Sequence, residues 1–250
     1  MALTSAWRNK QQAGDILYIA LLIVLAVGGV CLTFPTPAIC ALTMAMVGGL
    51  ALWRWHTPQD VLLAVSGIVF GPTLEFFATT TGLWAYPHTS FGTLPAWVFA
   101  LWPVFPLCLV RLTHALLPPD GESRMRAGWE LGLGLAILAA EIPLLCALGT
   151  SQPMVTTIGT AVMLAAAFVL ARSPQAGLML AISGIVGPVC ESLPVALGAW
   201  GYPNPHILGL PMWLPTGYAL FGFAVVRVAF GLHGVVLGVA RQPELAREQP

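Results

Sequence analysis

The chain has 250 residues, 58% of them hydrophobic and only 8% charged, with ten Lys and Arg balancing ten Asp and Glu. Soluble domains carry roughly a quarter charged residues, so the composition excludes a water-soluble globular enzyme and a disordered chain. The absence of a basic field excludes a nucleic-acid partner. A mean hydropathy of +0.84 fits an all-α polytopic membrane protein.

A bilayer core of roughly 30 Å needs about 20 apolar residues per helix. The sequence offers about eight such runs, near 16–35, 38–54, 60–84, 94–117, 129–148, 154–171, 175–199 and 211–236. The first follows Arg8 and Lys10 but is longer than a signal-peptide core and has no A-x-A site, so it reads as an uncleaved helix. With the N-terminus inside, all basic residues fall on the cytoplasmic side: Arg8, Lys10, Arg54, Arg111, Arg124, Arg126, Arg172, Arg227, Arg241 and Arg247. The positive-inside rule therefore predicts a cell (inner) membrane protein with both termini cytoplasmic. Cys31, Cys40, Cys108, Cys146 and Cys190 form no CxxC and read as small buried hydrophobes.

Gly71-Pro72-Thr73-Leu74-Glu75 returns 116 residues later as Gly187-Pro188-Val189-Cys190-Glu191. The same offset pairs Gly82 with Gly198, Trp84 with Trp200, Tyr86 with Tyr202, Pro95 with Pro211, Trp97 with Trp213 and Arg111 with Arg227. Composition alone would not align Glu, Trp, Tyr and Arg together. The expectation is one domain of two fused four-helix repeats in parallel orientation, 1–117 and 129–250, joined by a cytoplasmic linker at 118–128. Ser66-Gly67 and Ser183-Gly184 match one residue out of register, a slip that a helical bulge beside Gly71 would absorb.

Ionisable groups inside a bilayer cost at least about 2.5 kcal/mol at mid-helix, which makes them the informative residues. Glu75, Glu141 and Glu191 fall at similar depth, where no Lys or Arg can pair with them. They are candidates to line one cavity as uncharged acids, and glutamine should be tolerated in place of Glu75 or Glu191. The alternative is plain helix–helix hydrogen bonding, with Thr79 as a partner one turn beyond Glu75. Gly82-x-Trp84-x-Tyr86-Pro87 and Gly198-x-Trp200-x-Tyr202-Pro203 end their helices at the outer surface. Leu94-Pro95-x-Trp97 and Leu210-Pro211-x-Trp213 start the returning helices, with proline in the first turn. Trp97 and Trp213 read as an interfacial aromatic belt or as part of a binding site. No metal motif, phosphate loop or aspartate-rich cluster is present, so neither a metal nor a cofactor is expected.

The Glu-x6-Gly-x-Trp-x-Tyr-Pro…Leu-Pro-x-Trp pattern is similar to that of bacterial integral-membrane carotenoid biosynthesis proteins, the carotenoid-hydratase family. It covers about 71–112 and again 187–228. The resemblance implies an enzyme of isoprenoid or carotenoid lipid metabolism, a hydratase or cyclase. Glu75 and Glu191 would protonate an alkene, with Glu141 as a third acid/base candidate. Trp84, Trp200, Tyr86, Tyr202, Thr79, Trp97 and Trp213 would line the substrate site. The expected partner is a membrane lipid or isoprenoid entering from the bilayer. Repeats and intramembrane acids equally suit a small proton-coupled transporter, and a non-catalytic membrane assembly factor is a third reading.

Overall fold

The computed structural model describes residues 2–118 and 127–237, so most of the expected 118–128 linker lies outside the described residues. Within them the chain is helical: α1 (Ala2–Thr33), α2 (Pro37–Arg54), α3 (Pro58–Thr80), α4 (Trp97–Leu101), α5 (Val104–Leu116), α6 (Ala127–Leu148), α7 (Pro153–Ala171), α8 (Pro174–Ala196) and α9 (Leu214–Leu237). Helices α4 and α5 form one span interrupted at Trp102-Pro103, where proline has no N–H to give the ladder. Eight spans are long and apolar enough to cross a bilayer. The protein is a multi-pass membrane protein.

Local sequence explains the helix ends. Pro37, Pro58, Pro153 and Pro174 each open a helix, where a missing N–H costs nothing. Thr57 and Asp60 cap α3 reciprocally, side chain to backbone, and Ser173 caps α8 through the Ala176 amide. Helices α3 and α8 stop at Thr80 and Ala196, short of the expected 84 and 199. Gly82 and Gly198 adopt φ of 75° and 82°, and the Leu83 and Ala199 amides fold back onto the Ala78 and Pro194 carbonyls. Pro95 and Pro211 precede the returning helices instead of lying in their first turns. Helix α3 is α-helical throughout, without a bulge beside Gly71.

The repeat is visible in the packing. Helices α1, α2, α3 and α4–α5 match α6, α7, α8 and α9, and the halves interlock because α9 packs on α3 while α5 packs on α8. Helix α9 is the most deeply buried, whereas α1, α2 and α7 turn large apolar side chains such as Leu17, Val24, Leu42, Val162 and Phe168 outward. Such outward apolar faces suit lipid contact. Beyond α3 and α8 the halves meet directly. Ala85 and Gly201 exchange reciprocal backbone hydrogen bonds, each of 3.0 Å.

Candidate functional site

The buried centre lies between these halves, where α3 and α8 bring Glu75 and Glu191 toward the segments following them. Glu75 Oε2 accepts from Trp84 Nε1 at 2.8 Å and from the Tyr86 hydroxyl at 2.7 Å. Its Oε1 accepts from Trp102 Nε1 at 3.3 Å. Glu191 Oε2 accepts from Tyr202 and its Oε1 from Tyr218, both at 2.8 Å. Trp102 and Tyr218 occupy equivalent positions in the two repeats. They were legible only as one aromatic replacing another, which a search for identical residues passes over.

The Gly-Pro step ahead of each glutamate has a steric purpose. A Cβ on Gly71 would lie 2.1 Å from the Trp102 ring, and one on Gly187 would lie 2.3 Å from Tyr218. Only glycine lets these aromatics reach the carboxyl one turn further along.

Aromatic side chains cross between the halves and tie the two glutamates into one cluster. Trp84 meets Tyr202 with centroids 5.7 Å apart, and Tyr86 meets Trp200 at 5.9 Å. Trp102 meets Phe221 at 5.1 Å, and Phe105 meets Tyr218 at 5.7 Å. Trp97 and Trp213 are 2% and 1% exposed, which corrects their reading as an interfacial belt. Trp97 packs on Tyr86 and Trp200, and Trp213 donates to the Gly149 carbonyl at 3.1 Å. Thr79 is not a partner of the Glu75 carboxyl. Its hydroxyl bonds the Glu75 backbone carbonyl at 2.7 Å and the Thr93 hydroxyl at 2.6 Å.

Two cavities border the cluster. The larger has about 140 Å³ of free space between α1, α4–α5 and α8. Ala26, Val30, Val104, Leu109, Ile182 and Val186 form part of its apolar wall, and Glu75, Glu191, Tyr86 and Tyr218 give it polar groups. The smaller is bordered by Glu75, Glu141, Glu191, Tyr202, Trp213 and Tyr218. All three intramembrane glutamates thus border one space. Among the described residues, no three His, Cys, Asp or Glu side chains converge as metal ligands would.

Sequence reading also missed two ion pairs. Arg111 binds both carboxylate oxygens of Asp60, and Arg227 binds both of Glu130 at 2.8 Å. The arginines are repeat-equivalent, but Asp60 and Glu130 are not, so the offset gave no hint of the pairing.

No known family profile matches the chain, and no curated protein matches it. Two solved structures share its fold. An Insig homolog, MvINS, from Mycobacterium vanbaalenii is 22% identical with a TM-score of 0.59. A cross-linked MvINS trimer is 23% identical with a TM-score of 0.58. Each match spans 76% of this chain and 99% of the other.

Proposed function

We propose that this protein is a non-catalytic membrane factor that holds one uncharged amphiphilic lipid, an isoprenoid or acyl chain carrying a hydroxyl, inside the bilayer. The observation carrying this reading is the apolar cavity ending at Glu191, Tyr218, Tyr86 and Glu75. Its free space is similar to that of apolar cavities which accept a small ring, so it takes one segment of such a molecule. Among the described residues no Lys or Arg borders it, so it offers a phosphate headgroup no counter-charge. Glu191 is the better hydroxyl acceptor, because it is half-buried and uses two of its four lone-pair sites. Glu75 is already held by three donors.

The resemblance of the Glu/Trp/Tyr segments to carotenoid-hydratase proteins supports an isoprenoid over an acyl chain. Aromatic faces of Tyr86, Trp97 and Trp200 beside the carboxyls favour hydration or cyclisation of an alkene as a second reading, since such faces stabilise a carbocation. The placement of Arg54, Arg111, Arg172 and Arg227 toward one side supports cytoplasmic termini, and labelling should reach cysteines at positions 90 and 206 from outside but not at 122.

The test is mass spectrometry of lipids retained by the purified protein. Wild type should retain a hydroxyl-bearing isoprenoid or acyl lipid, and Val186→Trp, which fills the cavity, should lose most of it. Equal retention by both, or none by wild type, would overturn the proposal. A changed pigment profile in a carotenoid-producing host, lost in Glu75→Gln, would establish the enzyme instead. Proton-dependent solute uptake would establish a carrier.

A further inference from the structure

Glu141 is 0% exposed on α6, and neither carboxyl oxygen has a hydrogen-bond partner among the described residues. A carboxyl stranded in an apolar interior costs several kcal/mol. The same side chain borders the smaller cavity, together with Glu75, Glu191, Tyr202 and Tyr218. That cavity has about 30 Å³ of free space, against roughly 10–15 Å³ for one water, which also needs two to four polar partners. Size and lining both meet these requirements. The three indoles bordering it are already committed, Trp84 and Trp102 to Glu75 and Trp213 to the Gly149 carbonyl, leaving carboxyl and hydroxyl oxygens as the groups that can turn to a guest.

We infer that this cavity is a hydration site, holding one or two waters that join Glu141 to the Glu75–Glu191 cluster. The inference is independent of the lipid reading, because the site lies in the other cavity and requires no lipid. It gives the unmatched glutamate of the duplicated fold a role: Glu141 anchors water that links all three acids, so that their protonation is coupled.

The structure supplies a gentle way to displace this water. A Cβ added at Gly217 would sit 3.8 Å from Glu141 Oε1 and 3.5 Å from the Trp213 ring, ordinary contacts without a clash. Gly217→Ala should therefore fold while occupying space beside the carboxyl. Glu141→Leu removes the anchor and leaves an apolar group of similar size, a change that buried sites commonly tolerate.

The experiment is infrared difference spectroscopy of the purified protein in ordinary water against water labelled with oxygen-18. Wild type should show an isotope-sensitive O–H stretch from confined water, lost in both Gly217→Ala and Glu141→Leu. Absence of the band in wild type, or its survival in either folded variant, would overturn the inference. Should Glu141→Leu fail to fold, Glu141→Gln serves in its place and should shift the band, with an unshifted band counting against the site. Lipid retention should persist in Gly217→Ala, which separates this outcome from failure of the lipid reading.

Discussion

The two glutamate centres carry one motif, yet they are held differently. Both Glu75 oxygens face indole N–H groups, Trp102 on Oε1 and Trp84 on Oε2, with Tyr86 adding a third bond. Both Glu191 oxygens face tyrosine hydroxyls. An indole only donates, whereas a phenol donates or accepts. The first centre is therefore fixed as an acceptor, and the second can reverse its hydrogen bonds to meet a changing guest. The difference also sharpens the expectation that glutamine is tolerated at both positions, because the two sites should tolerate it unequally. The repeat keeps the carboxyl and its approach, while two differences set the centres apart: Tyr218 stands where Trp102 does, and Trp200, unlike Trp84, does not bond its glutamate.

The largest contrast between the halves should come from their arginines. Arg227 and Glu130 side chains are each 10% exposed, whereas Arg111 is 29% exposed and Asp60 2%. Arg227→Leu strands Glu130 and should cost about 3–5 kcal/mol. Arg111→Leu should cost less, about 1–3 kcal/mol, because Thr57 still donates to Asp60 through its amide and hydroxyl. Denaturation of detergent-solubilised variants measures both, and equal losses would contradict the asymmetry.

Next in size are the two Glu→Gln variants. A glutamine at position 75 must point its amide N–H at one indole N–H whichever way it is turned, for an expected loss of about 1–3 kcal/mol. At position 191 the facing tyrosine can rotate its hydroxyl and accept, so the loss should stay below about 1 kcal/mol. Thermal unfolding of the pair decides the matter, and a larger loss at 191 would reverse the assignment of rigid and adaptable centres.

The smallest contrast is between two buried serines. Ser183 donates to the Tyr218 carbonyl, while Ser66 Oγ has no partner among the described residues. Ser183→Ala should cost about 1 kcal/mol, and Ser66→Ala should be neutral or slightly stabilising. Parallel melts test this, with a loss confined to Ser66→Ala as the disqualifying result.

The eight spans were readable because the length of an apolar run is itself the physical requirement for crossing a bilayer. Their outer ends were less readable. Leu83 and Trp84 are as apolar as helix residues, and only the left-handed turn at Gly82 takes the chain out of the helix. Apolarity likewise cannot tell a tryptophan buried against protein from one at a lipid interface, which is why the sequence left Trp97 and Trp213 between a belt and a binding site. That Glu75, Glu141 and Glu191 border one space was legible, since an acid stands out in an apolar run. Their partners were not, because Trp102 and Tyr218 look like ordinary core aromatics until the fold brings them one helix away. Asp60 and Glu130 meet repeat-equivalent arginines from unrelated positions, a relation that no internal alignment could supply.

The paired backbone bonds between Ala85 and Gly201 carry a consequence for how such a chain arises. Residues related by the repeat bond each other reciprocally only when a two-fold axis passes between them, the arrangement of an isologous dimer contact. Each half contributes four spans and so returns to the side from which it started, which lets a short covalent connection replace diffusion without turning either half over. The molecule has the geometry of a homodimer whose two copies have been written into one chain. A single chain lets two such halves differ, as these do at Tyr218 and Glu141.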